Sequence, residues 1–289
     1  MKWFDLISKI DRRIIYLLLT FFVILPLFVP FKIPQNIMPQ TQKLFDFIES
    51  IQPDDKAIML SLDYTPQTAP ECHPMALAIL KHCFARNIPV VGVSYDPQGP
   101  GLAVEAFATV VDDINSQAKV REDSVIYGED YIYLGWKSGR IAALLEMGES
   151  IISVYPRDHF RNVVDSFPIM ARVRNYKDIA IAIVLAAAAY PDDWVLYPQS
   201  RYGVKVGAGL TAVMAPKYYP FLQTGQFSGM VSGMKGAAEY EELVYTKKAI
   251  AGRRVASEAV LPLTFAHFVI IFFIIIGNIG YFFERRRKK

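Results

Sequence analysis

Two aspartates stand directly behind β-type apolar runs, Asp63 after Ala57 to Leu62 and Asp96 after Pro89 to Tyr95. In an open parallel sheet, ligands bind beyond the carboxyl ends of strands, where the strand order reverses. The loop Asp63-Tyr64-Thr65-Pro66-Gln67-Thr68, Asp96 with the Gly99 and Gly101 turn, and Pro198-Gln199-Ser200-Arg201 are therefore the places where chemistry is expected. Paired carboxylates there can hold a divalent cation through their oxygens, or share acid and base roles where their environments differ. Asp63, Tyr64, Thr65 and Asp96 form the expected ligand-binding set. The competing reading is structural, since aspartate after a strand starts turns and caps helices by accepting backbone hydrogen bonds.

The remaining candidates for chemistry are weaker. Gly99-Pro100-Gly101 and Val206-Gly207-Ala208-Gly209 match neither the dinucleotide fingerprint nor the phosphate loop, which ends in Gly-Lys-Ser/Thr, and read as turns. Cys72-His73 and His82-Cys83 bracket one expected helix, but the two histidines are separated by about 13 Å of helix rise, too far to share one zinc. The two cysteines are about 16 Å apart along that axis, too far for a disulfide. Ser200, His159 and Asp158 have no triad spacing, and no Gly-x-Ser-x-Gly elbow occurs. No catalytic residue, metal or cofactor is assigned, and an enzyme is the less favoured class.

A glycine-rich tract runs from Gly225 to Tyr240. On a helix, Gly229, Ser232, Gly233, Gly236 and Ala237 would form a smooth stripe that lets another backbone approach closely. Each interior glycine costs about 0.5 to 1 kcal/mol relative to alanine, so close packing must compensate, inside the domain or against a second subunit. Gly277, Asn278 and Gly280 offer a similar face further along. Together these residues are the expected oligomer interface.

The elements that must position these groups follow from periodicity. Lys43 to Ile51 reads as an amphipathic helix and Ala57 to Leu62 as a strand. Thr68-Ala69-Pro70-Glu71 has capping-box spacing and opens a helix through Arg86, followed by a buried strand from Pro89 to Tyr95. Leu102 to Ile114 and Gly139 to Glu146 read as helices. Tyr131 to Leu134, Ser150 to Val154, Ile179 to Leu185 and Trp194 to Tyr197 read as further strands, and Ala215 to Ile250 as helical with a break near Gly225. Alternation of this kind argues for an α/β fold with a mostly parallel sheet flanked by helices, Rossmann-like or flavodoxin-like.

Hydrophobicity frames that domain. The apolar fraction of 53% in 289 residues exceeds the roughly 45 to 50% of soluble domains, and the excess sits in two uncharged stretches, Ile14 to Phe31 and Val260 to Phe283. About 18 to 20 apolar residues cross a bilayer. The expected organisation is a flank 1–13, a span 14–31, an α/β domain 32–256, a span 257–283 and a basic tail 284–289. No Ala-x-Ala cleavage pattern follows the first span. Lys2, Lys9, Arg12 and Arg13 at one end and Arg285 to Lys289 at the other place both termini in the cytoplasm by the positive-inside bias, and the domain on the far side of a plasma (inner) membrane. The net charge of +3 is explained by these flanks and calls for no nucleic acid; the bilayer is the expected partner. The leading functional expectation is a structural or assembly subunit of a membrane complex, self-associating through the glycine tract. The alternatives are a membrane-tethered binding or sensing module and a metal-assisted hydrolase, both using the crevice around Asp63 and Asp96.

Overall fold

A computed structural model describes residues 11–28, 36–53, 55–120, 124–248 and 252–287. The chain divides into two compact units, Gln35–Ala256 and the pair of terminal segments Met1–Pro34 and Ser257–Lys289.

The larger unit is an α/β domain. After helix α2 (Pro39–Ser50), the elements alternate: β1 (Ala57–Asp63), α3 (Ala69–Ala85), β2 (Val90–Ser94), α4 (Gly99–Asn115), β3 (Tyr131–Trp136), α5 (Arg140–Glu146), α6 (Ile151–Val154) and α7 (Pro168–Arg172). Then come β4 (Ile179–Ala186), α8 (Tyr190–Trp194), a π-helical turn Val195–Gln199, α9 (Ser200–Tyr202), β5 (Lys205–Leu210), α10 (Ala215–Gln223), β6 (Phe227–Ser232) and α11 (Gly233–Lys248). All six strands are parallel, in the order β3-β2-β1-β4-β5-β6. The order reverses between β1 and β4, where Asp63 pairs with Ala186.

Alternation within each strand divides the core. Met59, Val91, Val93, Ile132, Leu134, Ala182, Val184, Val206 and Ala208 join α5, α6, α7, α8 and α10 in one buried cluster that includes Leu144, Met147, Met170, Trp194 and Tyr218. Helices α2, α3, α4 and α11 pack on one another and on the other side of the sheet. Glycines in β5 and β6 admit this layer: a Cβ on Gly207 would lie 2.8 Å from Leu44 Cδ1, and one on Gly209 would lie 3.1 Å from Met75 Sδ.

The edge strand β3 is covered. His159 N donates to Tyr133 O at 3.2 Å and Gly128 N to Tyr131 O at 2.7 Å, so two outward carbonyls of this strand are already paired.

Several sequence expectations are corrected. Ser150 to Val154 is not a strand: Ser150 caps α6 by accepting from Ser153 N at 3.2 Å. Trp194 to Tyr197 is helical, because Pro191 sits in the first turn of α8 with Asp192 and Asp193 behind it, the usual composition of a helix start. The turn expected at Val206–Gly209 is strand β5. Thr68 makes no side-chain cap on α3; its hydroxyl donates to Thr65 O, and Glu71 accepts from Ala212 N instead.

The glycine tract is the largest correction. Residues 227–232 form β6, and only Gly233 onward is helical. Gly233 lies at φ +62°, a left-handed conformation that ends the strand and starts the helix at no Cβ cost. A Cβ on Gly229 would overlap the backbone N of Leu44 and come within 2.5 Å of its Cα, and one on Gly236 would meet Val231 Cγ1 at 3.3 Å. Ser232 pairs with Leu210 across the sheet, and Ala237 is fully buried. These five residues are therefore not a stripe on one helix, and the close approaches that justify the glycines are within the domain.

In the smaller unit, α1 (Arg12–Phe28) is an apolar helix of 17 residues; the rest of the expected first span, 29–31, and flank residues 1–10 lie outside the described residues. One helix among the described residues is long and apolar enough to cross a membrane, the stretch Val255–Phe282 of α12 (Val255–Arg287). The Phe22 and Phe265 rings stack at 6.4 Å. Thr264, His267 and Asn278 bond to carbonyls one turn back, Val260 O, Leu263 O and Ile274 O, which satisfies polar groups in an apolar helix without a neighbour.

Candidate functional site

Ser61 and Asp63 alternate onto one side of β1, so Ser61 Oγ donates to Asp63 Oδ2 at 2.5 Å. Asp63 Oδ1 accepts from Tyr95 N at 2.5 Å and Asp96 N at 3.3 Å. The carboxyl thus ties the end of β1 to the loop after β2. It is 1% exposed, and burial pushes its pKa up to about 6 against the pull of these donors.

Asp96 carries the connection onward. Its Oδ1 accepts from Gln98 N at 2.8 Å, which sets the turn into α4, and its Oδ2 accepts from the Tyr190 hydroxyl at 3.0 Å. Tyr190 opens α8 after β4; burial and Asp96 raise its phenol to about 12, so it donates. The Arg140 guanidinium lies over the Tyr190 ring, 4.5 Å from its centroid, and is ion-paired with Asp193. Gly139, at φ +71°, turns the chain from β3 into α5 immediately before Arg140. Loops from β1, β2, β3 and β4 thus converge through hydrogen bonds, one cation-π contact and one ion pair at the point where the strand order reverses.

Asp63 and Asp96 are brought together, as types and spacing suggest, but Asp63 is consumed by three donors. Tyr64 and Thr65 are committed elsewhere. The Tyr64 hydroxyl is hydrogen-bonded to His73 Nδ1 at 2.9 Å, and Thr65 N donates to Thr68 Oγ1 at 3.1 Å; both shape the entry to α3. Tyr190, Arg140 and Asp193 are absent from the expected set. Their signal was an aromatic residue before Pro191 and two acids at the end of an apolar run, a helix start placed where a plain turn was expected.

The other candidates do not assemble. Ser200 Oγ donates to Val195 O, and Asp158 accepts from Tyr127 and Asn162. Cys72 and Cys83 are buried free thiols, the first pushed up to about 12 by burial and by Glu71. No group of three or more potential metal ligands gathers among the described residues.

No family model, curated protein or solved structure matches this chain. Its site is accordingly read from its own chemistry.

A second polar network lies among α2, α3 and α11. The fully buried His82 bridges the Tyr240 hydroxyl through Nδ1 and Glu49 Oε1 through Nε2, both at 2.7 Å, and stacks on Phe45 at 4.4 Å. Lys248 pairs with Glu49, and Arg86 donates to the carbonyls of Glu49 and Ile51. Tyr240 is wholly buried, so this network fastens helices rather than meeting a ligand. Burial pushes His82 down to about 4, with Lys248 and Arg86 adding to the effect and Glu49 opposing it. Its folded pKa is therefore below the unfolded value of about 6.5, so its stabilisation is present above that value and is lost as pH falls towards 4, roughly 3 kcal/mol in all. Wild type is expected to lose this much relative to His82→Gln between those limits in urea unfolding of the detergent-solubilised chain. Parallel profiles for the two proteins would refute the assignment.

Proposed function

We propose that the chain is a membrane-anchored binding module whose polar ligand sits at the carboxyl ends of β1 and β4. The observation that carries this reading is the reversal of strand order between those strands, with Asp96, Tyr190 and Arg140 gathered from three loops beside it. Parallel sheets of this kind bind ligands at such reversals because the loops diverge there and leave a crevice. Asp96 is half-exposed and its carboxylate holds neutral donors, so it is the contact offered to a ligand; Tyr190 and Arg140 form the wall. The buried Asp63 holds the two loops in register and serves the site indirectly.

In this proposal the spans 14–31 and 257–283 anchor the domain, with both termini cytoplasmic and residues 32–256 across a plasma (inner) membrane. The test is a thermal-shift panel of water-soluble amines, sugars and nucleotides on the detergent-solubilised full chain. At least one compound is expected to stabilise wild type, with affinity weakened about tenfold, or 1.4 kcal/mol, in Tyr190→Phe. A panel without binders, or binders indifferent to Tyr190 and Asp96, would remove this reading.

A second reading, self-association as a subunit of a membrane complex, draws on α12. A Cβ on Gly277 or Gly280 would meet nothing within 4 Å, so that helix face has room for another helix, with Asn278 alongside. Gly277→Leu is expected to lower the mass of detergent-solubilised particles towards monomer. A monomeric wild type in several mild detergents would dismiss it.

A further inference from the structure

The loops at the rim of the proposed site carry several exposed apolar residues. Asp63, Ala186, Leu210 and Ser232 form one cross-strand row at the carboxyl ends of β1, β4, β5 and β6, and the loops that leave this row place Pro66, Ala188, Ala189, Ala212 and Val213 in exposed positions. Val213 is 86% exposed, the most exposed large apolar side chain among the described residues. Small apolar residues on adjacent loops, next to a polar cluster, are not what a purely hydrophilic ligand requires.

Two further observations bear on the occupant. Asp96 accepts from the Gln98 amide and the Tyr190 hydroxyl, both neutral, so its negative charge is matched by no base within hydrogen-bonding reach among the described residues. The described start of the Gln35–Ala256 unit lies beside the start of α11. Lys235 Nζ donates to Asn36 O and Met38 N donates to Glu239, both on the half of α11 that follows the carboxyl end of β6. The rim loops and the chain's entry into the domain therefore share a side.

We infer that the ligand of this site is a membrane amphiphile with an amine-bearing head, its acyl portion resting on Ala188, Ala189 and Val213 and its ammonium group donating to Asp96. This rests on the binding-module reading and specifies its ligand. A head of this kind complements the unmatched carboxylate, and a hydrocarbon chain removes the exposed apolar rim from water. A domain tied to a bilayer meets such a molecule at high local concentration.

The test uses the full chain in phosphatidylcholine nanodiscs doped with a phosphatidylethanolamine that carries a diazirine on its acyl chain, read by peptide mass spectrometry after irradiation. Crosslinks are expected in the segments 187–190 and 211–214. They should be lost in Val213→Asp, whose exposed position leaves folding intact, and reduced in Asp96→Ala, while labelling of α12 stays constant as the internal standard. Crosslinks confined to α12, or rim crosslinks unchanged in both variants, would overturn the inference. If a soluble amine still binds wild type and fails on Tyr190→Phe, the binding module stands without its lipid. If that panel is also empty, both fall.

Discussion

Gly229→Val is expected to unfold most of the α/β domain at physiological temperature. A Cβ at this position would collide with the backbone of Leu44 rather than with a side chain that can swing away. Leu44 is itself fully buried, and α2 packs against β6 through it. Relief therefore requires moving a whole helix off the sheet. Overpacking in a tight core costs about 1 to 3 kcal/mol where side chains absorb it, and a backbone collision belongs at or above the top of that range, against a total stability of about 5 to 15 kcal/mol. Gly101→Val, in the same domain and where a Cβ would meet open space, is the matched control. Limited proteolysis of the two proteins in the same detergent measures the difference, and equal resistance would mean that α2 does not pack as described.

The second large effect belongs to Asp63. In Asp63→Ala, the buried amides of Tyr95 and Asp96 lose their acceptor, each at about 1 to 3 kcal/mol, and the loop after β2 loses its tie to β1. A loss of about 3 kcal/mol at neutral pH is expected by urea unfolding. Asp63→Asn keeps an oxygen for the two amides and should retain most of that stability. The sign of the pH dependence separates the charge from the hydrogen bonds. Burial raises the folded pKa to about 6, above the unfolded value of about 3.9, so the folded state holds the proton more tightly. The associated stabilisation is present below the unfolded value and lost as pH rises through 6. Wild type should thus gain on Asp63→Asn as pH falls from 6 towards 4. The His82 network has the opposite sign over nearly the same interval, so Asp63→Asn and His82→Gln should tilt the wild-type profile in opposite directions. Parallel profiles for wild type and Asp63→Asn would refute the Asp63 assignment.

What could be seen in the sequence depended on whether local pattern and tertiary contact agreed. β1, β2, β3 and β4 carry continuous apolar runs, and α3 and α4 carry clear helical spacing, so the parallel α/β class and the approach of Asp63 to Asp96 were both legible. β5 and β6 were hidden by their glycines. Gly207, Gly209 and Gly229 weaken a strand locally, and the close approach of Leu44 to Gly207 and Gly229, and of Leu185 and Met75 to Gly209, explains why they are there. Tyr190-Pro191-Asp192-Asp193 and Ser150 failed in the other direction, as helix starts beside apolar residues look like turns or strands until the first turn is seen. Arg140 and Tyr190 joined the site only through contacts between loops, which no spacing along the chain encodes.

The plugging of β3 reaches beyond the single molecule. An open sheet margin on each copy would let neighbours zip together edge to edge into insoluble ribbons. With the Tyr131 and Tyr133 carbonyls already engaged by Gly128 and His159, that flank has lost two of the acceptors such pairing would need.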